Sequence, residues 1–364
     1  MPGLYDLPTP ALLLDLEVLE RNLRNMAERC RKLGVSLRPH IKTHKCVEIA
    51  RGQRELGASG ITVSTLHEGK VFADHGFEDL TWAFPLIPGR ALEAARLAER
   101  ARLGIVVDSA EALEAAERTG AQFRVWLKID CGYGRAGLEP ADPRTGELAA
   151  RISGSASLEL AGLLSHSGHA YRGRSPAHIA RIAEQERRIL VDTAAGMRSS
   201  GLDIRELSVG STPSMAHARS LEGVTEARPG NYALFDLTQA LLGVCSVADC
   251  AATVLSSVVS SRPGAGRSVV DAGALALSLD PGLPHASSRS YGRLLADTEA
   301  GALRRNARLT SLSQEHGLLD ASLPVGSKVR IVPNHACLTV ACFDVFHIVR
   351  GEDVLDTWRI WRGR

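Results

Sequence analysis

The stretch Arg38-Pro39-His40-Ile41-Lys42-Thr43-His44-Lys45 packs two lysines, two histidines, an arginine and a threonine into eight residues. Gly34-Val35-Ser36-Leu37 before it has strand propensity, and Cys46-Val47-Glu48-Ile49-Ala50 after it reads as the first turns of a helix. The polar cluster therefore sits where a strand ends, at the rim where α/β folds gather their chemistry. With Ile41 pointing outward, the two-residue strand period puts His40 and Lys42 together on the inward face. Desolvation there lowers a lysine's pKa toward the range in which the neutral amine attacks a carbonyl, which is Schiff-base chemistry. The same eight residues also suit a basic surface turn that binds phosphate or nothing, and on their own they do not separate the two.

Outward from this stretch the chain alternates. Thr9-Pro10-Ala11-Leu12-Leu13-Leu14-Asp15 reads as a buried strand, and Leu16 to Leu33 carries apolar residues at helical spacing. Eight strands are then predicted, over Val35–Ile41, Gly60–Ser64, Leu80–Phe84, Gly104–Val107, Phe123–Ile129, Leu158–Ser165, Ile204–Val209 and Val224–Arg228. Between them lie Leu66–His75, Arg90–Arg102, Ala110–Arg118 and Ile179–Ser200, rich in Ala, Leu, Glu and Arg at helical period. This pattern predicts an α/β fold, a closed (β/α)8 TIM-type barrel. A doubly wound open sheet would usually show a Gly-rich dinucleotide turn after an early strand, and none is present.

After about residue 245 the helical period fades. Ala252–Ser261, Arg267–Asp271, Lys328–Pro333, Leu338–Val349 and Val354–Trp361 are β-branched segments separated by turn residues, and Asp280–Arg308 reads as a long loop. The expected organisation is an N-terminal strand in residues 1–20 that joins the β domain, a barrel in 21–245 and a mainly β domain in 246–364. A chain of 364 residues suits such a division.

Forty-three basic against 41 acidic residues, scattered without long runs, leave no electrostatic footprint for nucleic acid or an anionic membrane. Seven cysteines, odd in number and without a Cys-x-x-Cys pair, point to a reduced, cytoplasmic protein. No apolar run is long enough to span a bilayer, and MPGLYDLPTP lacks the form of a signal peptide.

A second constellation is Ser208-Val209-Gly210-Ser211-Thr212-Pro213-Ser214, where Thr212 followed by Pro213 reads as the N-cap and first residue of a helix. Free N–H groups there suit an anion, most simply a phosphate. Glu226-Ala227-Arg228-Pro229-Gly230-Asn231-Tyr232 follows the eighth strand, and in barrels the loops after strands seven and eight commonly form a phosphate site. Each segment alone is ordinary turn chemistry. Together with a strand-end lysine they favour pyridoxal 5′-phosphate (PLP), whose aldehyde and phosphate need those two groups.

RPHIKTHK, VGSTPS, RPGNY and the late EHG and PNHAC segments together resemble the D-threonine aldolase/D-serine dehydratase family of fold-type III PLP enzymes, over nearly the full chain and in the same order. The resemblance implies an alanine-racemase-like barrel followed by a β domain, with Lys42 as the lysine bonded to PLP. It places Ser211, Thr212, Gly230, Asn231 and Tyr232 at the phosphate, Arg135 near the pyridine nitrogen and Tyr171 beside the cofactor. An arginine does not readily protonate that nitrogen, so it would temper the ring as an electron sink. His40, Tyr171 and His169 are the catalytic candidates beside Lys42, and His166 and His169 are acid/base groups or merely satisfied polar residues.

On an extended segment His335 and Cys337 would project to one face. Spacing alone reads better as a satisfied core histidine and a buried cysteine. The resemblance reverses this, because family members carry a divalent metal here at His-x-Cys or His-x-Asp. Thiolate favours zinc, with manganese or magnesium as alternatives. Leu338-Thr339-Val340-Ala341-Cys342 departs from the family in lacking an expected asparagine. The implied activity is a PLP- and metal-dependent lyase for β-hydroxy-D-amino acids. Dehydration of substrates such as D-serine, D-threonine or 3-hydroxyaspartate is favoured by Cys337, with aldol cleavage to glycine and an aldehyde as the alternative. A racemase would need a second acid/base group and no metal; a PLP carrier would need only the barrel. The family also implies a homodimer.

Overall fold

The computed structural model describes residues 3–283, 289–296 and 301–363. Contacts divide the chain into two compact units. One comprises Met1–Asn25, Thr43–Glu48 and Asn231–Arg362; the other comprises Met26–Lys42, Ile49–Gly230 and Gly363–Arg364.

The second of these is a parallel barrel. Its eight strands run in the spatial order Ser36–Leu37, Glu226–Ala227, Glu206–Val209, Leu158–Leu164, Phe123–Lys128, Arg102–Val107, Asp79–Pro85 and Ile61–Val63, and a parallel bridge between His40 and Thr62 closes the ring. Helices alternate with the strands, because a parallel sheet buried on both faces reads as near-continuous apolar runs and needs a covering layer. Phe123–Lys128 is buried along its whole length, and Val106, Trp126, Ala161 and Leu164 form one core cluster. The expected first and eighth strands are shorter than predicted. Pro39 interrupts the first, since proline has no N–H to give to a ladder.

Below the rim, Arg38 is 3 % exposed and donates to Glu226 Oε2 at 2.5 Å and Asp79 Oδ1 at 2.6 Å. The guanidinium lies against Gly60, where any Cβ would overlap it. Burial works against its charge, but Glu226 and Asp79 outweigh burial and hold it protonated.

In the other unit six strands close into an antiparallel barrel: Arg267–Val270, Gly317–Leu319, Leu303–Leu312, Arg293–Leu295, Lys328–Val332 and Ala252–Arg262, the last pairing back to the first. Ala11–Asp15 extends this sheet, antiparallel to Ala252–Arg262 and parallel to Val345–Arg350. Leu12, Leu13 and Leu14 are wholly buried there, each worth about 1.5–3 kcal/mol of transfer free energy.

Two β-domain expectations are corrected. The segment Asp280–Arg308 is no plain loop: although 284–288 and 297–300 lie outside the described residues, Arg293–Leu295 and part of Leu303–Leu312 are strands. Leu294, Ala307 and Leu309 are buried, but exposed residues between them hide the period. The expected strand Leu338–Val349 begins instead as the helix Ala336–Val340, and extended structure starts at Val345. The cause is Asp236, whose carboxylate accepts the Ala336 N–H and fixes a helix start.

Candidate active site

Lys42 sits in a single 3-10 turn, Ile41–Thr43, just past the barrel's closing bridge. The strand face expected for His40 and Lys42 is therefore replaced by a turn, in which Ile41 is fully buried. The His40 ring accepts the Lys42 backbone N–H at Nδ1, 3.4 Å away, so His40 shapes the turn that presents the lysine.

Around Lys42 the barrel gathers cations. Arg228 is 5 % exposed; its guanidinium donates to the Ser208 hydroxyl and the Ser165 carbonyl, and burial pulls its pKa down to about 10. Lys128, at the end of Phe123–Lys128, is 6 % exposed and has no hydrogen bond to Nζ among the described residues. Burial, then Arg228 and Arg135, push it down to about 8.

Arg135 stands on a turn organised by Asp130, whose carboxylate accepts the N–H groups of Gly132, Tyr133 and Gly134 at 2.8–3.0 Å. Gly132, Gly134 and Gly137 take φ of +98°, +69° and +117°, which favour glycine. The guanidinium covers the Tyr133 ring at 4.9 Å. That ring packs directly on Gly168, where a Cβ would overlap it, and lies 5.9 Å from the His166 ring and 6.1 Å from the His169 ring.

His166 Nδ1 lies 3.2 Å from the Gly210 carbonyl, which assigns the proton to Nδ1 and leaves Nε2 as the lone pair. Burial first, then Lys42 and Arg135, hold this imidazole neutral, well below the usual histidine range. His169 is also lowered by burial, and its buried Nδ1 has no hydrogen-bond partner among the described residues. Tyr171 lies on the following 3-10 segment, Gly168–Arg172, half-buried.

The helix expected to start with Thr212 as cap starts one residue earlier. Ser211 is the N-cap, exchanging hydrogen bonds with Ser214, and Pro213 is the second helical residue. Glu186, 1 % exposed on the helix Pro176–Ser199, ties this start to the neighbouring loop. It accepts Ser165 Oγ at 2.8 Å, Ser167 Oγ at 2.6 Å and Gly210 N at 3.2 Å.

Gly230 closes the barrel unit; Asn231, the next residue, belongs to the β unit. There Asn231 Nδ2 donates to Asp236 Oδ2 at 2.7 Å and lies 3.9 Å from Cys337 Sγ, and Tyr232 is fully buried. Cys337 Sγ is 3.3 Å from Thr43 Oγ1, the residue after Lys42. His335 caps the helix Ala336–Val340 and Cys337 lies in its first turn, so the two meet across a helix start and not along an extended face. Their side chains are hydrogen bonded. Burial opposes charge on His335, but Cys337, Asp280 and Asp236 overcome it and raise the imidazole to about 11.

A family model described as the alanine racemase N-terminal domain matches residues 14–237, and a serine dehydratase domain matches 251–349. D-threo-3-hydroxyaspartate dehydratase from Delftia sp. HT23 is 36 % identical over 99 % of both chains, and its solved structure covers 100 % of both with a TM-score of 0.95. The chain belongs to the D-serine dehydratase/D-threonine aldolase family of fold-type III PLP enzymes.

Other members agree. D-serine dehydratase from Dictyostelium discoideum is 36 % identical over 96 % of this chain and 95 % of its own, and the structure of D-threonine aldolase from Filomicrobium marinum matches at 32 % identity, 99 % and 96 % coverage and a TM-score of 0.85. A variant of a D-threo-3-hydroxyaspartate dehydratase, 35 % identical to this chain, is described in a metal-free form, so that relative takes a metal. The residues here suit both PLP and such a metal. Lys42, Lys128, Arg135 and Arg228 make a cationic barrel interior suited to an anionic phosphate ester. An imidazole and a thiol in contact form a two-ligand donor set that leaves metal positions open. Among the described residues, no three His, Cys, Asp or Glu side chains converge on one metal position.

Sequence reasoning missed Lys128, Tyr133, Glu186, Asp236 and Asp280 as members of these clusters. Lys128 had a signal, a cation near the end of the mostly apolar run Val125-Trp126-Leu127-Lys128-Ile129. The carboxylates had none for the contacts that matter here, Glu186 with Ser165 and Ser167, Asp236 with Ala336 and Asp280 with His335, which form only through the fold.

Proposed function

We propose that this enzyme is a PLP- and metal-dependent lyase that dehydrates β-hydroxy-D-amino acids of the D-serine, D-threonine or 3-hydroxyaspartate type to an oxo acid and ammonia. The single observation that carries a lyase over a racemase is the His335–Cys337 contact, an imidazole and thiol pair of metal-ligand chemistry for which a racemase has no use. Lys42 would bond PLP, with Ser211, Thr212, Gly230, Asn231 and Tyr232 toward its phosphate and Arg135 and Tyr171 beside its ring. The Asn231 side chain is engaged with Asp236, so its share in phosphate binding falls to its backbone. His335 and Cys337 would hold the ion, zinc before manganese or magnesium because thiolate is a soft ligand.

Bound PLP supplies an aldehyde for the substrate's amino group and an electron sink for the bond broken at Cα. A bound ion supplies a Lewis acid for the β-hydroxyl. Lys42 Nζ, as the neutral amine, takes the Cα proton in dehydration. Neutral His166 adds no positive charge to the cationic interior, and the burial and cations that hold it neutral also make its Nε2 a weak base. For aldol cleavage the proton is taken from the β-hydroxyl, with His166 or His169 as candidate bases, and glycine and an aldehyde leave.

A homodimer is supported by exposed Leu275, Leu279 and Leu338 on and beside two short helices of the β unit; sedimentation showing a fully active monomer would refute it. Seven free thiols support a reducing, cytoplasmic setting. The function is tested by product analysis with D-serine and D-threonine, with and without EDTA. EDTA-sensitive oxo acid and ammonia are expected. Glycine and acetaldehyde from D-threonine with no oxo acid from D-serine would transfer the assignment to the aldolases, and L-serine as sole product would overturn a lyase altogether.

A further inference from the structure

His335 Nδ1 is 2.8 Å from Asp280 Oδ2. The other oxygen, Oδ1, accepts the Gly282 N–H at 2.8 Å, and the Asp280 N–H donates to Ser278 Oγ at 3.3 Å. The segment is also held from the ligand side. Asn334, 2 % exposed and adjacent to His335, donates its amide to the Asp280 carbonyl at 2.9 Å and to the Ser290 carbonyl. The carboxylate thus has a fixed orientation, with one oxygen committed to the backbone and the other to the imidazole.

We infer that Asp280 is a positioning residue for the metal: it reserves His335 Nδ1 as a hydrogen-bond donor and so directs Nε2 to the ion. This rests on the reading of His335 and Cys337 as metal ligands. An imidazole offers two nitrogens, and whichever is engaged by a neighbour decides which remains as the ligand. A carboxylate at the remote nitrogen also makes the ligating one more basic and holds the ring plane. Asparagine cannot replace it. With its oxygen toward His335, its NH2 faces the Gly282 N–H, donor against donor; with the amide reversed, the NH2 faces Nδ1 and forces the proton onto Nε2, where it blocks the ion.

The test uses the PLP-loaded protein, wild type, Asp280→Asn, Asp280→Glu, His335→Ala and Cys337→Ala, titrated with zinc alone against a chromophoric chelator. Asp280→Asn should weaken zinc by roughly 10- to 100-fold, the range for loss of such an outer partner, and Asp280→Glu should recover part of it. Zinc affinity unchanged in Asp280→Asn while His335→Ala and Cys337→Ala lose it would overturn the inference and leave the metal site standing. Affinity unchanged in all four would instead remove the metal site. Should the Asn variant fail to fold, 15N-histidine NMR of the zinc-loaded wild type decides on its own: a protonated Nδ1 and a zinc-shifted Nε2 are expected at His335, and zinc on Nδ1 would overturn the inference.

Discussion

Lys128 is a buried ammonium among arginines, and its cost to stability is measurable through pH. Its pKa falls from an ordinary 10.5 to about 8, with burial as the first cause and Arg228 and Arg135 next. That drop corresponds to about 3 kcal/mol against the protonated lysine in the folded protein. The sign follows from linkage. The unfolded chain binds this proton more tightly than the folded one, so the penalty is full below pH 8, shrinks as pH rises from 8 to 10.5, and vanishes above. Lys128→Met removes the charge and keeps most of the stem. In urea unfolding the variant should gain about 2 kcal/mol more over wild type at pH 7 than at pH 10, where about 1 kcal/mol of the penalty remains. Comparing the two pH values cancels the packing change made by the substitution. A difference between variant and wild type that does not vary between pH 7 and pH 10 would refute the reasoning and show that Lys128 is not charged against its surroundings.

Two further outcomes are expected. Glu186→Ala leaves three buried donors, Ser165 Oγ, Ser167 Oγ and Gly210 N–H, without their acceptor; a loss of about 3 kcal/mol or more in thermal or urea unfolding is expected, with Glu186→Gln retaining part of it. Cys337→Asp exchanges a soft ligand for a hard one, so after EDTA stripping its activity should return best with manganese or magnesium, whereas wild type should prefer zinc; a variant that still prefers zinc would contradict Cys337 as a ligand.

The barrel was legible because its signals are local. Apolar strands alternate with helices such as Leu66–Asp74 and Ala110–Glu117, which begin at Thr65 and Ser109 caps readable in the sequence. The β unit was harder. Arg293–Leu295 is three residues long, too short for a period, and Ala336–Val340 is helical only because Asp236, a hundred residues away, accepts its first N–H. Proximity was visible for Lys42, His40, His335 and Cys337 because sequence spacing carries it, though the geometry read from that spacing was strand-like and the structure supplies turns. The Asp280–His335 and Glu186–Ser167 contacts could not be seen that way, since they are made across 55 and 19 residues of chain.

The central claim, that this chain bonds PLP through Lys42, is tested most directly by borohydride reduction of the cofactor-loaded protein, proteolysis and mass spectrometry of the modified peptide. A phosphopyridoxyl mass on Lys42 is expected, with the visible absorption of the cofactor lost in Lys42→Ala. The same mass on Lys45 or Lys128, with Lys42 unmodified and Lys42→Ala still coloured, would contradict the account.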